Sequence, residues 1–283
     1  MTGFGARLTK AVAERGPLCA GIDPHPGLIE AWGLPLDVGG LERFALGATE
    51  VLAAATAIVK PQSAFFEAFG AAGIAVLERV VALAHDAGAL VLLDVKRGDI
   101  GSTMAAYTAA YVAEGAAIAA DAITVSPYLG FGSLEAASAT ARAAGRGIFV
   151  LARTSNPEAN ALQSAKLPDG RTVAQSIVDS VAAFNAESVP LGDIGVVVGA
   201  TIKPGEVDLS GLNGPVLAPG FGAQGATTAD LKALFGNAAG GDLPGLLPAS
   251  SRDILRHGPD AAALRRAVET VAELLVRPQE NDH

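Results

Sequence analysis

Residues 89–103 read ALVLLDVKRGDIGST, and this stretch holds one complete unit of the predicted fold. The residues at its start form a consecutive aliphatic run, which is typical of a strand that is buried on both faces. Charged residues end the strand, and a helical pattern follows them. A continuous apolar strand that leads into a helix predicts a parallel sheet with helices packed on its faces.

The same unit recurs along the whole chain. The predicted strands are 18–23, 57–62, 89–96, 122–127, 147–154, 194–200, 215–222 and 245–250. Helical patterns lie near 41–55, 73–87, 103–119, 132–144, 171–187, 228–236 and 260–276. Single barrels of roughly 250 residues are common in the α/β class. Eight strand units in one chain therefore predict a (β/α)8 TIM barrel.

An open, doubly wound sheet would produce a similar alternation. Its dinucleotide-binding form places G-x-G-x-x-G after the first strand, whereas here the first strand ends in GIDPHPG, residues 21–27. No stretch rich in Pro or Ser divides the chain, so we expect one domain over residues 1–283. Two stretches, near 157–170 and 237–245, are predicted to be loop insertions. Both contain Pro, Asn and Gly, which favour loops, and the first is long for a barrel connection.

The composition excludes several classes of protein. Half of the residues are hydrophobic and 17% are charged, which excludes disorder and a coiled coil. The formal net charge is −9, so we expect no binding to nucleic acid or to an anionic membrane. Apolar runs end well short of the ~20 residues that a membrane-spanning helix needs. The single cysteine, Cys19, excludes an intrachain disulfide, and we expect a cytoplasmic protein.

Polar or reactive residues end nearly every predicted strand. They are Asp23, Lys60, Asp94 with Lys96, Ser126, Thr154 with Ser155, Gln224 and Arg252. The C-terminal ends of barrel strands lie on one face, where barrel enzymes have their active sites. We therefore expect these side chains to converge around one pocket.

Asp94 and Lys96 are two residues apart, so in a strand both side chains point to the same side. If that side is the barrel interior, a carboxylate and an ammonium lie together at its mouth, with Asp99 close behind. The same spacing also fits a structural ion pair with an Asp or Ser helix cap. A catalytic role is favoured because burying three charges only to hold a loop would carry a large desolvation cost.

Residues 94–103, DVKRGDIGST, resemble the D-x-K-x-x-D-I-x-x-T signature of the orotidine 5'-phosphate decarboxylase family. Four other segments are similar to strand ends of that family: GIDPH at 21–25, VKPQSAFFE at 59–67, APGFGAQG at 218–225 and SSRDI at 250–254. The Gly often found before the last arginine is Ser251 here. The resemblance covers nearly the whole chain, and the second segment looks most like the longer bacterial branch.

The resemblance implies decarboxylation of orotidine 5'-monophosphate to UMP and carbon dioxide, the last step of UMP biosynthesis, with no cofactor and no metal. It assigns the catalytic charges to Lys60, Asp94, Lys96 and Asp99. Lys96 would stabilise the carbanion that forms at C6 and then protonate it. Charges of alternating sign can share one pocket, because each then has an opposite neighbour.

The resemblance also implies the substrate contacts. Asp23 would bind a ribose hydroxyl, and Ser155 would contact the pyrimidine edge. Gln224 would bridge the pyrimidine and the phosphate. The phosphate itself would be held by Arg252 and by the Gly-rich turn that follows Pro219.

A homodimer is implied as well, because three residues would complete the site of the partner subunit: Asp99, Ile100 and Thr103. Taken alone, Thr103 is equally compatible with a helix N-cap, and Ile100 with core packing.

Three other functions stay open on the sequence. A sugar-phosphate enzyme of the same barrel group, such as hexulose-phosphate synthase, shares D-x-K-x-x-D but holds magnesium and has an acidic residue at the position of Lys60. A lysine there opposes a divalent cation. A noncatalytic phosphate-binding barrel would not need the complete set of Asp94, Lys96 and Asp99. Nonspecific nucleic-acid binding is disfavoured by the acidic balance.

Overall fold

The computed structural model describes residues 2–222, 225–236 and 245–276. Within these ranges, eight parallel strands form a closed barrel in chain order, and β1 pairs with β8 to close it. The strands are β1 Cys19–Ile22, β2 Ile58–Pro61, β3 Leu90–Arg97, β4 Ala122–Val125, β5 Gly147–Arg153, β6 Ile194–Val198, β7 Val216–Pro219 and β8 Leu246–Ser250. The predicted barrel is confirmed, and each predicted strand is present with its ends shifted by a few residues.

Helices surround and cap the barrel. Those that the structure describes are α1 Phe4–Arg15, α2 Pro26–Ala31, α3 Val38–Ala55, α4 Ser63–Glu67, α5 Gly70–Asp86, α6 Gly101–Tyr111, α7 Glu135–Ala143, α8 Asn160–Gln163, α9 Val173–Asn185, α10 Thr228–Phe235, α11 Arg252–Leu255 and α12 Ala261–Val276. Every predicted helix is found among them. Within the described ranges, none is long and apolar enough to cross a membrane.

Helix α1 was not predicted, although its apolar residues Phe4, Leu8 and Val12 have helical spacing. It covers the end of the barrel opposite the strand C-termini. Phe4 and Leu8 pack into the apolar cluster of the barrel interior, and the Phe4 ring meets Phe149 edge-on at 5.9 Å. Helix α1 is therefore the plug of the barrel.

A buried carboxylate, Asp121, joins this plug to the sheet. Its Oδ1 accepts a hydrogen bond of 2.6 Å from Arg7 of α1, and its Oδ2 lies 2.8 Å from both His85 Nε2 and the Val91 backbone nitrogen. Burial raises the pKa of Asp121, but the hydrogen bonds from His85 and Arg7 outweigh it and lower the pKa to about 2. The group is therefore ionised and holds α1, α5 and β3 together.

Two connections differ from the regular barrel pattern. Helix α6 ends at Tyr111 rather than near residue 119, and Gly115, with a φ of 73°, lies in the irregular segment that follows. In the described connection between β6 and β7 there is no helix. Of the two predicted insertions, 157–170 contains a 3-10 turn, Pro157–Ala159, and the short helix α8. The other lies outside the described residues except for Gly245.

The apolar cluster of the barrel interior includes residues from all eight strands, and we refer to the following eight as the apolar layer: Cys19, Ile58, Leu92, Ala122, Phe149, Val197, Leu217 and Leu247. Side chains in a strand alternate between its two faces, so the residue two positions further along points to the same side. The next interior layer consists of Gly21, Lys60, Asp94, Thr124, Leu151, Gly199, Pro219 and Ala249. All eight of these residues line one cavity at the C-terminal ends of the strands.

Candidate active site

The cavity has a volume of about 550 Å³ and opens at the C-terminal face of the barrel. Seven of the predicted site residues line it: Asp23, Lys60, Asp94, Lys96, Ser155, Pro219 and Arg252. Gln224 lies outside the described residues. Asp99, Ile100 and Thr103 do not line the cavity of their own chain.

Asp94 is the centre of the charged floor. Its Oδ1 accepts hydrogen bonds from Lys96 Nζ at 2.6 Å and from the Thr124 hydroxyl at 2.7 Å. Its Oδ2 accepts from Gln62 Nε2 at 2.8 Å and from Lys60 Nζ at 3.2 Å. Four donors therefore satisfy both oxygens of a carboxylate that is only 5% exposed.

The charges of the floor stabilise one another. Burial raises the pKa of the Asp94 carboxyl, but the ammonium groups of Lys60 and Lys96 and the hydrogen bonds outweigh burial, so the pKa lies well below its usual range. Burial lowers the pKa of Lys60, but Asp23 and Asp94 outweigh that effect and raise it above its usual range. Both groups are therefore ionised at neutral pH.

Lys96 has an unusual backbone conformation. Its φ is 46°, in the left-handed region that residues other than Gly rarely adopt. The register between β3 and β4 shifts between Leu93 and Arg97. The Lys96 backbone nitrogen donates to the Thr124 hydroxyl at 3.0 Å, and its carbonyl accepts from the Ser126 hydroxyl at 3.2 Å. Such strain costs about 1–3 kcal/mol and persists only where the surroundings hold it, as strand β4 does here.

Three residues that line the cavity carry a buried polar atom without a hydrogen-bond partner among the described residues. Asp23 Oδ1 is buried and accepts no hydrogen bond in the described structure, although Lys60 Nζ is 3.9 Å away. The hydroxyls of Ser250 and Ser251, which also line the cavity, are buried without a partner among the described residues. Buried polar groups normally have partners, so these three atoms are exceptions among the polar atoms of the residues around the cavity.

The ends of β7 and β8 form an anion-binding corner. Gly220 and Gly222 have φ values of 103° and 78°. The positive φ of Gly222 is a conformation that side-chain-bearing residues rarely adopt, and a Cβ there would also lie 2.3 Å from an Asp253 carboxylate oxygen, so Gly is favoured at this position. Arg252 begins α11 at the cavity wall and makes no ion pair among the described residues. A guanidinium and a tight glycine turn at this place in a barrel suit a phosphate group.

A segment that follows β5 forms another wall of the cavity. Thr154, Ser155, Asn156 and Gln163 all line the cavity. Ser155 packs against the backbone of Gly199, where an added Cβ would be 3.0 Å from the Ser155 nitrogen and Cβ. The end of β6 therefore sets the position of Ser155.

The residues expected to serve a partner lie on the outside. Ile100 is 60% exposed and Thr103 is exposed, next to the half-buried Asp99. Asp99 Oδ1 accepts a hydrogen bond from the Ile100 backbone nitrogen at 2.8 Å. Neither the N-cap proposed for Thr103 nor the core packing proposed for Ile100 is found, since Ile100 is the N-cap of α6 and its side chain is exposed.

Sequence reasoning did not assign a role to Gln62, Thr124 or Gln163. Gln62 and Thr124 contact Asp94 directly, and Gln163 lines the cavity. Gln62 comes two residues after Lys60, and Thr124 two before Ser126, so spacing along the strands could have indicated both. Gln163 had no such signal because only the fold of its loop brings it to the cavity.

No group of three or more His, Cys, Asp or Glu in the described part of the chain is arranged to hold a metal ion. The carboxylates of the floor, Asp23 and Asp94, are instead neighbours of ammonium groups.

Comparisons with known proteins all point to one family. The model of the orotidine 5'-phosphate decarboxylase / HUMPS family matches residues 16–267. An orotidine 5'-phosphate decarboxylase of Salinispora arenicola is 58% identical over 271 residues, which are 96% of each chain. The enzyme of that name from Streptomyces coelicolor is 55% identical over 276 residues, again 96% of each.

Solved structures show the same likeness. A crystal structure from Streptomyces avermitilis, described as a candidate orotidine 5'-phosphate decarboxylase, has a TM-score of 0.92 and 53% identity, with 97% of this chain and 95% of that one covered. The Leishmania donovani OMP decarboxylase has a TM-score of 0.73 and 28% identity, with 98% and 100% covered.

Proposed function

This chain belongs to the orotidine 5'-phosphate decarboxylase / HUMPS family, and we propose that it converts orotidine 5'-monophosphate into UMP and carbon dioxide without a cofactor. The observation that carries the proposal is the Asp94–Lys96 pair, 2.6 Å apart on the floor of the cavity. This pair supplies the two charges that the reaction needs beside one carbon atom.

The difficult step is the formation of a carbanion. Breaking the bond between C6 and the carboxylate carbon releases carbon dioxide and leaves an electron pair on C6 that the ring cannot delocalise. The Lys96 ammonium attracts this charge and then transfers a proton to C6, which forms the new C–H bond. The Lys96 amine left behind regains a proton from solvent, for which its 46% exposed side chain is accessible.

Asp94 has two tasks in this proposal. Its ionised carboxylate keeps the Lys96 nitrogen charged and aimed at the reacting carbon. The same negative charge lies beside the substrate carboxylate and repels it. This repulsion raises the free energy of the bound substrate, and it is relieved when neutral carbon dioxide forms. Lys60, 3.2 Å from Asp94, limits the repulsion so that both carboxylates fit in one pocket.

Binding groups surround this centre. We assign Asp23, with its unpartnered buried oxygen, to a ribose hydroxyl and Ser155 to the pyrimidine edge. Arg252 and the turn after Pro219 are assigned to the phosphate, and Gln224 to the bridge between phosphate and pyrimidine. Phosphate binding remote from C6 supplies energy for ordering the site around the ring.

We further propose that the working enzyme is a homodimer. The exposure of Ile100 and Thr103, the half-buried state of Asp99 and the position of all three outside their own cavity support a role in the site of the partner subunit. Asp99 would then add the second carboxylate that faces Lys96. The unpaired Cys19 and the acidic composition fit the expectation of a cytoplasmic enzyme that binds no nucleic acid.

The rival within the family is magnesium-dependent sugar-phosphate chemistry. A divalent cation at Asp94 would lie against the Lys60 ammonium, only 3.2 Å from the carboxylate. That repulsion opposes metal binding, and the relatives described above carry the decarboxylase name.

The test is an assay of the purified protein with orotidine 5'-monophosphate in excess chelator, followed by the loss of substrate absorbance. We expect rapid UMP formation that Lys96→Ala reduces by more than the ~10²–10⁴-fold typical of one general acid. Lys10→Ala is the matched control, because Lys10 lies on the plug helix at the other end of the barrel. No turnover by the wild type would overturn the proposal, and aldol chemistry that requires magnesium would favour the rival.

A further inference from the structure

Arg153, the last residue of β5, is a buried arginine that the proposed chemistry does not use. It is 7% exposed, and its guanidinium donates four hydrogen bonds to four different residues. Nε donates to Glu206 Oε2 at 2.6 Å, and one terminal nitrogen donates to Asn160 Oδ1 at 2.7 Å. The other terminal nitrogen donates to the Thr154 carbonyl at 2.7 Å and to Gln163 Oε1 at 3.3 Å.

A break in the strand directs Arg153 away from the cavity. By alternation it should follow Leu151 into the barrel interior. The register between β5 and β6 instead shifts between Leu151 and Arg153, as at a β-bulge, which re-aims a side chain. Leu151 lines the active-site cavity, whereas Arg153 lines a second cavity of about 570 Å³ behind the wall.

The contacts of Arg153 hold the whole wall segment, residues 154–163. Gln163 lines both cavities, and its Oε1 also accepts from the Thr154 backbone nitrogen at 2.8 Å. Gln163 Nε2 donates to the Thr154 hydroxyl at 3.0 Å. Asn160 is bound at the start of α8. The guanidinium therefore fixes both ends of the segment that carries Ser155.

Glu206 connects this arrangement to the neighbouring strand. Its Oε2 accepts from Arg153, and its Oε1 accepts from the Lys203 backbone nitrogen at 3.1 Å. Lys203 and Glu206 belong to the connection after β6, which begins at the Gly199 that packs against Ser155. The ion pair thus joins the two connections that position Ser155.

We propose that Arg153 is a positioning residue for the decarboxylation, and that it acts by holding the wall segment against the pyrimidine side of the cavity. The expected effect on turnover rests on the proposed function. A small displacement of a substrate-positioning group lowers the rate strongly, so release of the segment should reduce turnover even when the barrel stays folded.

The experiment combines two changes in a double-mutant cycle on kcat/KM for orotidine 5'-monophosphate. Arg153→Lys keeps a positive charge but cannot reach all four acceptors. Asn160→Ala with Gln163→Ala releases the segment from its other side and alters only residues that are exposed or half-buried. We expect each change to lower kcat/KM at least about tenfold, and the combination to lose little more than either alone, because both remove the same constraint.

A control variant and a measurement that does not depend on activity complete the experiment. The control variant is Arg171→Ala, which removes an exposed ion pair between Arg171 and Asp169. Arg171 lies on the same connection but does not line the cavity, so kcat/KM should change less than about twofold. Hydrogen exchange of a peptide covering 154–163 should accelerate at least about tenfold in Arg153→Lys, while exchange in α9 stays as in the wild type.

Three results would overturn the inference: losses that multiply in the cycle, kcat/KM within twofold of the wild type in both variants, or unchanged exchange in the segment. Failure of the wild type to decarboxylate the substrate would contradict the proposed function instead, and the exchange measurement would still decide whether Arg153 holds the segment.

Discussion

The Lys96 ammonium nitrogen lies 2.6 Å from Oδ1 of Asp94, and Lys96 reaches that position from a left-handed backbone with a φ of 46°. Thr124 stabilises both halves of the arrangement. Its hydroxyl donates to Asp94 Oδ1 at 2.7 Å and accepts from the Lys96 backbone nitrogen at 3.0 Å. The pair therefore depends on a neighbouring strand as well as on its own.

Thr124→Val should lower kcat/KM by about 10- to 100-fold, because a hydrogen bond to a charged group contributes about 1.5–3 kcal/mol. The substitution preserves shape but removes the bond to Asp94 and the acceptor for the Lys96 nitrogen. Steady-state kinetics measures the loss. Thr124→Ser, which retains the hydroxyl, should stay near the wild-type rate, and an equal loss in both variants would contradict the assigned role.

Gly199→Ala should raise KM by about tenfold, since the new Cβ would be 3.0 Å from the Ser155 nitrogen and Cβ and would displace the wall beside the pyrimidine. Gly211→Ala is the matched control on the same connection, because a Cβ there meets nothing within 4 Å. Kinetics of both variants checks the prediction. Similar KM values for the two would show that Ser155 is not placed by Gly199.

Arg252→Ala should lower kcat/KM for orotidine 5'-monophosphate by several orders of magnitude, because the phosphate loses its guanidinium and the binding energy that supports catalysis. The nucleoside without phosphate is the informative second substrate. Its much slower decarboxylation should be the same in the variant and the wild type. A loss below about tenfold with the nucleotide would be inconsistent with a phosphate role.

Mixing of inactive subunits tests the homodimer. Lys96→Ala and Asp99→Ala should each be inactive alone. If Asp99 serves the partner subunit's site, half of randomly reassociated dimers are mixed, and each mixed dimer has one intact site, so about one quarter of wild-type activity should return. Activity is measured after joint denaturation and refolding. An inactive mixture that sediments as a dimer would place Asp99 outside the partner's site.

Asp121 should make folding sensitive to acid. Its pKa is lowered to about 2 in the folded chain from an unfolded value of about 3.9, so the ionised group contributes roughly 2–3 kcal/mol of stability. The contribution is complete above the unfolded pKa and is lost as pH falls through about 4 to 2. Arg7, His85 and Arg146 are the charged or titratable groups that face it.

Urea unfolding of the wild type and of Asp121→Asn, measured at several pH values, tests whether the stability contributed by Asp121 is lost in acid. The difference in unfolding free energy should be constant from about pH 7 to 5 and should narrow toward about pH 2. Glu42→Gln, which removes an exposed pair with Arg79, should show no such narrowing. A difference that grows in acid would mean that Asp121 is protonated in the folded state.

The fold and most of the charged floor could be predicted from the sequence because they depend on local periodicity. Apolar runs separated by helical patterns specify parallel strands, and the period of two places Lys60 and Asp94 directly above Ile58 and Leu92 of the apolar layer. Helix α1 carried a usable signal as well, but its apolar face is short and its role as a plug is visible only beside Phe149.

Contacts between distant segments could only be seen in the tertiary structure. Nothing in the order of residues relates Gln163 to Thr154, Arg153 to Glu206, or Thr124 to the backbone of Lys96. Two irregularities, the left-handed Lys96 and the register shift at Arg153, redirect side chains against the alternation that the sequence implies. The residue types and their periodicity determined the barrel and the chemistry of its mouth. Packing between nonlocal strands decided which atoms meet there, because hydrogen-bond geometry depends on the closed sheet rather than on neighbours in the chain.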